Sequence, residues 1–188
     1  MNKQIDRGTA TCVVARSGLG KTYWAQDYAA QQVIAGELVI ALDHGFSWHD
    51  WSFRMNGLVL SLAEDTLYAS RSEQIGGIED IDAAARRGHG RTPLAVEFEG
   101  AYLRRGGIET RMAPLRRWLQ RRAKPITLIV DEVVQLGQYE DAVAQILTAV
   151  EWAPCNLVML AQDSRDGAWL RQYVPKIEVV SLSNVRAA

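Results

Sequence analysis

The chain has 188 residues, a formal net charge of −1 and 48% hydrophobic residues. That length supports one domain across 1–188, with a core able to bury about 70% of the unfolded surface. The near-zero charge excludes a global field drawing the chain to nucleic acid or an anionic membrane, so any polyanion contact must come from a local patch.

Residues 1 to 8 are polar and predict a short arm without the apolar core of a signal peptide. No apolar run approaches the roughly 18 to 20 residues of a membrane span, so a cytoplasmic protein is expected. A first strand is predicted near Thr9 to Val14. Ala15 to Gly20 is a glycine-bearing turn, and a helix from Lys21 to about Ala35 stops at Gly36, a residue suited to helix termination. Leu38 to Leu42 is continuously apolar and predicts a strand buried on both faces. Asp43 to Trp51 reads as a loop, and Gly57 to Leu62 as a third strand.

Residues 64 to 92 show weak periodicity and predict a short helix with loops; an irregular insertion is expected near 64–106. Leu94 to Phe98 is another strand. Gly107 to Ala123 is an amphipathic helix, with Met112, Leu115, Trp118 and Leu119 on one arc. Ile126 to Glu132 is the clearest strand in the sequence. A second amphipathic helix over Tyr139 to Trp152 follows, then a strand over Leu157 to Ala161, a short helix around Asp166 to Tyr173 and a last strand over Ile177 to Leu182. Strands alternating with helices predict an α/β fold with a mostly parallel central sheet and helices on both faces.

The chemistry gathers at three places. The first is the strand, turn and helix around Arg16, Ser17, Gly18, Leu19, Gly20, Lys21 and Thr22, the order a phosphate-binding loop requires. Successive backbone N–H groups and a helix N-terminus converge on an anion there. Lys21 would reach the β- and γ-phosphates of ATP, and Thr22 would offer its hydroxyl to Mg2+. Ala15 stands where the first glycine of the common motif is expected, and its methyl group predicts slightly tighter geometry. The second place is Asp131-Glu132 after four apolar residues. Asp131 would hold Mg2+ and Glu132 would orient or deprotonate the attacking water; two solvated acids at a strand end would look the same. The third is Gln162, whose amide could bond both the γ-phosphate and that water, or simply end its strand.

Arg116, Arg117, Arg121, Arg122 and Lys124 form a dense basic cluster. It reads as a DNA-backbone contact, as the source of an arginine reaching a neighbouring subunit's nucleotide, or as a solvated helix face. Arg171 and Arg186 are other candidates for such an arginine. His44 and His49 flank Asp43 and Asp50 in a spacing that fits no metal template, and Trp48 and Trp51 read as loop anchors ahead of base-stacking groups. Cys12 and Cys155 read as small buried hydrophobes.

The order of these motifs, from Arg16–Thr22 through Leu94–Glu99 and Leu128–Glu132 to Leu157–Gln162, resembles the HerA/FtsK superfamily of DNA-pumping ATPases. The resemblance implies a P-loop NTPase fold of RecA-like/ASCE type. It maps the catalytic roles onto Lys21, Glu132 and Gln162, and the metal-binding roles onto Thr22 and Asp131. It implies ATP and Mg2+ as cofactors and double-stranded DNA as partner. It further implies assembly into a homo-oligomeric ring, commonly a hexamer, with capsid or portal-vertex proteins as further partners and no soluble small-molecule substrate other than ATP. The early position of Lys21 makes the chain similar to the genome-packaging ATPases of tailless icosahedral viruses with internal membranes. A conjugation- or secretion-type ATPase, a nucleoside or nucleotide kinase of P-loop type and a weakly hydrolysing nucleotide switch are the alternatives; the zinc-binding cysteine set usual in thymidine kinases is missing.

Overall fold

The computed structural model describes residues 10–44, 46–87, 93–97, 113–114, 117–118, 121, 126–132, 155–172, 174 and 176–183. Among the described residues, nine strands form one sheet: β1 (Ala10–Val14), β2 (Leu38–Asp43), β3 (Leu58–Ser61), β4 (Thr66–Ser70), β5 (Glu73–Gly76), β6 (Leu94–Glu97), β7 (Ile126–Val130), β8 (Cys155–Ala161) and β9 (Glu178–Ser181). Their order across the sheet is β5-β4-β3-β6-β2-β7-β8-β1-β9. Every neighbouring pair from β3 to β9 is parallel, and only β3-β4 and β4-β5 are antiparallel. The expected α/β fold with a mostly parallel sheet is what the chain adopts.

Strands buried on both faces need no polar alternation. β2 and β7 are buried at every position. Their side chains nevertheless alternate between two cores, as the two-residue strand period dictates. Leu38, Ile40, Leu42, Leu128 and Val130 join a cluster with Ile78, Ile81, Ala84, Trp118 and Leu170. Val39, Ala41 and Ile129 join the opposite one with Ala25, Tyr28, Ala29, Trp48 and Trp51. Helices α1 (Lys21–Ile34) and α2 (His49–Arg54) thus cover one face of the sheet. A 3-10 turn (Ile78–Asp80) with α3 (Ile81–Arg87), and α4 (Ser164–Leu170), cover the other.

Several local expectations change. Residues 64–92 contain a β-hairpin, β4 and β5, that extends the sheet antiparallel from β3 before the chain turns helical at Ile78. Most of its side chains are not buried, so it is held by main-chain pairing with β3 and by Leu67, which is fully buried. The predicted loop from Asp43 ends early, because α2 starts at His49. The helix near 166–173 starts at Ser164 and ends at Leu170. Strand β7 ends at Val130, so Asp131 and Glu132 lie just beyond it. The predicted helix over 139–152 lies outside the described residues, as does most of that over 107–123. Within the latter, 113–114 and 117–118 are helical and Trp118 is buried. Helix α1 ends as expected, with Gly36 at φ 88°. Among the described residues, no helix is long and apolar enough to cross a membrane.

Candidate functional site

Strands β1, β2, β6, β7 and β8 are parallel, so the residues that follow them emerge at one edge of the sheet. In open α/β sheets that edge is where ligands bind. The turn after β1 keeps Arg16, Ser17, Gly18 and Leu19 exposed, while Gly20, Lys21 and Thr22 are half-buried. Gly18 and Gly20 have φ of 78° and 80°. A Cβ on Gly18 would meet nothing within 4 Å, so its glycine is required by the left-handed backbone and not by space. Gly20 is also the N-cap of α1 and offers no capping side chain. The first-turn N–H groups of α1 therefore have no side-chain acceptor from the cap, the condition under which a helix start receives an anion.

Lys21 Nζ donates to the carbonyls of Ala15 at 2.6 Å and Arg16 at 3.2 Å, holding its ammonium against the start of the loop. Ala15 thus contributes through its main chain. Its N–H also donates to Ala161 O at 3.2 Å, extending the β1-β8 pairing. The Lys21 ammonium is held below its usual pKa, chiefly by desolvation, against the opposing pull of Asp131 and Glu132.

Thr22 Oγ1 donates to Asp131 Oδ2 at 2.8 Å, joining residues 109 apart in sequence. Asp131 is 2% exposed. Its Oδ2 also accepts the indole N–H of Trp48 at 3.0 Å, and its Oδ1 accepts the Glu132 N–H at 2.9 Å. Its own N–H donates to Leu42 O at 3.0 Å, which seats it against β2. Glu132 is half-buried with φ 55°, an uncommon conformation for a non-glycine residue, stabilised here by the Asp131 side chain.

Gln162 follows β8 at the same edge but is exposed. It lines an open cleft of about 930 Å3 whose walls include Ala15, Arg16, Leu19, Val180 and Leu182. The cleft reaches from the end of β8, the strand between β1 and β7, past the loop to β9. The sequence thus brings Lys21, Thr22, Asp131 and Glu132 together, while Gln162 lines the cleft at the end of the strand between β1 and β7. Of the basic cluster, Arg117 and Arg121 are described and exposed; Arg121 pairs with Asp82 of α3 at 3.6 Å. Arg171 is exposed, while Arg116, Arg122, Lys124 and Arg186 lie outside the described residues. Cys12 is buried and unoxidised, its thiol pushed up to about 12 chiefly by burial.

Sequence reasoning passed over a second layer. Asp43 ends β2 and Glu97 ends β6, both buried at this edge. Asp43 Oδ2 accepts the Trp48 N–H at 2.7 Å, and its Oδ1 accepts from Ser47 Oγ at 3.2 Å. Glu97 pairs with His49 Nδ1 at 2.6 Å, and burial raises its carboxyl pKa against the lowering effect of His49. The signal that singles out Asp131, an acid closing an apolar strand, applies equally to Asp43 and Glu97. Trp48 does anchor its loop, as expected, with no exposed surface.

The residues fit a magnesium-bound triphosphate. Among the described residues, no three histidine, cysteine or carboxylate side chains converge to cage a metal by themselves. Mg2+ needs no such cage when one hydroxyl, one carboxylate acting directly or through water and phosphate oxygens complete its shell. No protein-family model matches the sequence, and no curated protein matches it.

Proposed function

We propose that this chain is a P-loop ATPase of RecA-like/ASCE type that binds ATP with Mg2+ and hydrolyses it. The observation carrying this reading is the 2.8 Å bond between Thr22 and Asp131 at the mouth of the Gly18–Lys21 turn. It joins a hydroxyl and a carboxylate 109 residues apart in sequence beside a lysine ammonium. The main-chain N–H groups of the turn and of α1 cradle the phosphates. Lys21 exchanges its carbonyl partners for β- and γ-phosphate oxygens. Thr22 and Asp131 would hold the metal, which would supply positive charge to the phosphates. Glu132 would orient or deprotonate the attacking water, and Gln162 would contact the γ-phosphate.

Coupling of this cycle to movement of double-stranded DNA is the finer part of the proposal. It rests on the series of loop, acid pair and glutamine and on the resemblance that series carries. On this reading the chain works in the cytoplasm or on a virion, as a ring, packaging DNA into a capsid. The test is ATP turnover by wild type and Lys21→Ala, each with and without double-stranded DNA. Wild type should turn over ATP faster with DNA, and Lys21→Ala should lose turnover by about 100-fold or more, the scale of a positioned charge acting on the transition state. Normal turnover in Lys21→Ala overturns the site. A protein that stays monomeric and ignores DNA overturns the translocase but not the ATPase. Phosphoryl transfer to a nucleoside in place of water would assign the site to a kinase.

A further inference from the structure

The carboxylate of Asp131 is gripped from two sides by groups that cannot easily move. On one side the Glu132 N–H reaches Oδ1 at 2.9 Å. On the other, the Trp48 indole N–H reaches Oδ2 at 3.0 Å. Trp48 is fully buried, packs edge-on against Trp51 with ring centroids 5.1 Å apart, and has its backbone N–H fixed by Asp43 at 2.7 Å. Swinging the indole away would open the core and strand a buried carboxylate with one fewer donor. Ser47 Oγ lies 3.2 Å from Asp43 and 3.5 Å from Asp131, and its single proton goes to the nearer acceptor. Trp48 is therefore the firm side-chain donor to Oδ2 besides Thr22. The Ser47 carbonyl accepts from Gln26 of α1 at 2.8 Å, so the loop carrying Trp48 is tied to the helix carrying Thr22.

We propose that Trp48 is a positioning residue for the metal: its indole N–H fixes the Asp131 carboxylate so that Oδ2 meets the Thr22 hydroxyl in the orientation divalent-cation binding requires. The proposal rests on the nucleotide reading above. The Thr22 oxygen could offer a lone pair to a cation while its proton stays on Oδ2, so the bond already present is compatible with a bound cation. The indole touches neither nucleotide nor metal and acts through Asp131. Groups one shell outside a metal ligand commonly change metal affinity 10- to 100-fold.

The test replaces the Trp48 indole in the full chain with benzothiophene, which keeps ring shape and volume and removes only the N–H; Trp48→Phe is the second variant. ATP binding is measured by calorimetry, first in chelator and then across a Mg2+ titration. Metal-free ATP affinity should stay within about twofold of wild type, while the Mg2+ concentration at half-saturation should rise about tenfold or more. An unchanged Mg2+ midpoint in a folded variant overturns the proposal and leaves the nucleotide reading standing. Wild type that shows no Mg2+-dependent ATP binding overturns the nucleotide reading and the proposal with it. If neither variant folds, the Trp48 indole N–H resonance of labelled wild-type chain decides. It should move on Asp131→Asn and on addition of Mg2+ with ATP, and a resonance that ignores both overturns the proposal.

Discussion

Replacing Thr22 by valine removes one hydroxyl and keeps the branched shape, so it isolates the 2.8 Å bond to Asp131. A hydrogen bond to an ionised acceptor is worth about 1.5–3 kcal/mol net. Thr22 is half-buried, and Asp131 keeps donors from Trp48 and Glu132, which puts the loss at the low end, about 1.5 kcal/mol. At a urea slope of about 2 kcal/mol per molar, the unfolding midpoint should fall by roughly 0.7 M. Thr22→Ser restores the hydroxyl and should recover most of that. Circular dichroism in urea gives the midpoints, and a Mg2+ titration of ATP binding gives the functional arm. There the valine variant should need at least about tenfold more Mg2+, since on the proposed reading it lacks one metal ligand. Equal urea midpoints and equal Mg2+ requirements for the valine and serine variants would refute the placement of Thr22 on Asp131.

Other expectations follow from the same geometry. Gly57→Ala would place a Cβ 2.6 Å from Pro93 O and 2.7 Å from Ser52 O, both main-chain atoms that must then shift. A loss of about 3 kcal/mol is expected, which scanning calorimetry should show as a Tm lower by about 6 to 12 °C. Leu128→Ala empties a fully buried site in central strand β7 and should cost about 2–5 kcal/mol in chemical denaturation. Glu97, whose carboxyl is raised above its ordinary 4.5 by burial, makes its full contribution to stability below that pH and loses it as pH climbs through the raised folded value. Glu97→Gln should therefore flatten a downward slope of unfolding free energy on pH just above 4.5, read from denaturation curves at closely spaced pH values. An identical slope in the variant would show that burial does not govern this group.

The parallel core was legible because its strands are short apolar runs bounded by charged or turn residues. Leu38 to Leu42 sits between Glu37 and Asp43, and Ile126 to Val130 is followed at once by two acids. The loop was legible because its glycines, lysine and threonine are fixed by backbone dihedrals and by charge, both of which act within a few residues. The β4-β5 hairpin was not legible. Its turn at Arg71-Ser72 carries no asparagine or glycine, its strands bury little beyond Leu67, and it exists because β3 offers an open edge. Helix α2 was hidden for a similar reason. His49, Trp51 and Phe53 are weak helix formers, and Trp51 holds the turn by being buried beneath it. The Trp48–Asp131 bond escaped because it spans 83 residues and has no local signature.

The meeting of Thr22 and Asp131 follows from the strand order. β1 and β2 are joined through α1, yet β8 and β7 stand between them in the sheet. At about 4.8 Å per strand step, the connection must travel roughly 14 Å sideways. Helix α1 makes that journey over one face, packing against β2 and β7. Its first turn is still at the loop while its body already lies toward β7, so the side chain one residue past Lys21 faces the end of the strand two places away. The same crossing leaves the other flank of the loop to β9, and the cleft that Gln162 lines extends to that flank. A sheet with β7 beside β1 would bring the acids closer to Lys21 but leave no strand to carry Gln162 between them. The interposed β8 thus separates an acidic side toward Asp131 from an open, partly apolar side toward Val180 and Leu182, so the two flanks of the loop are chemically distinct.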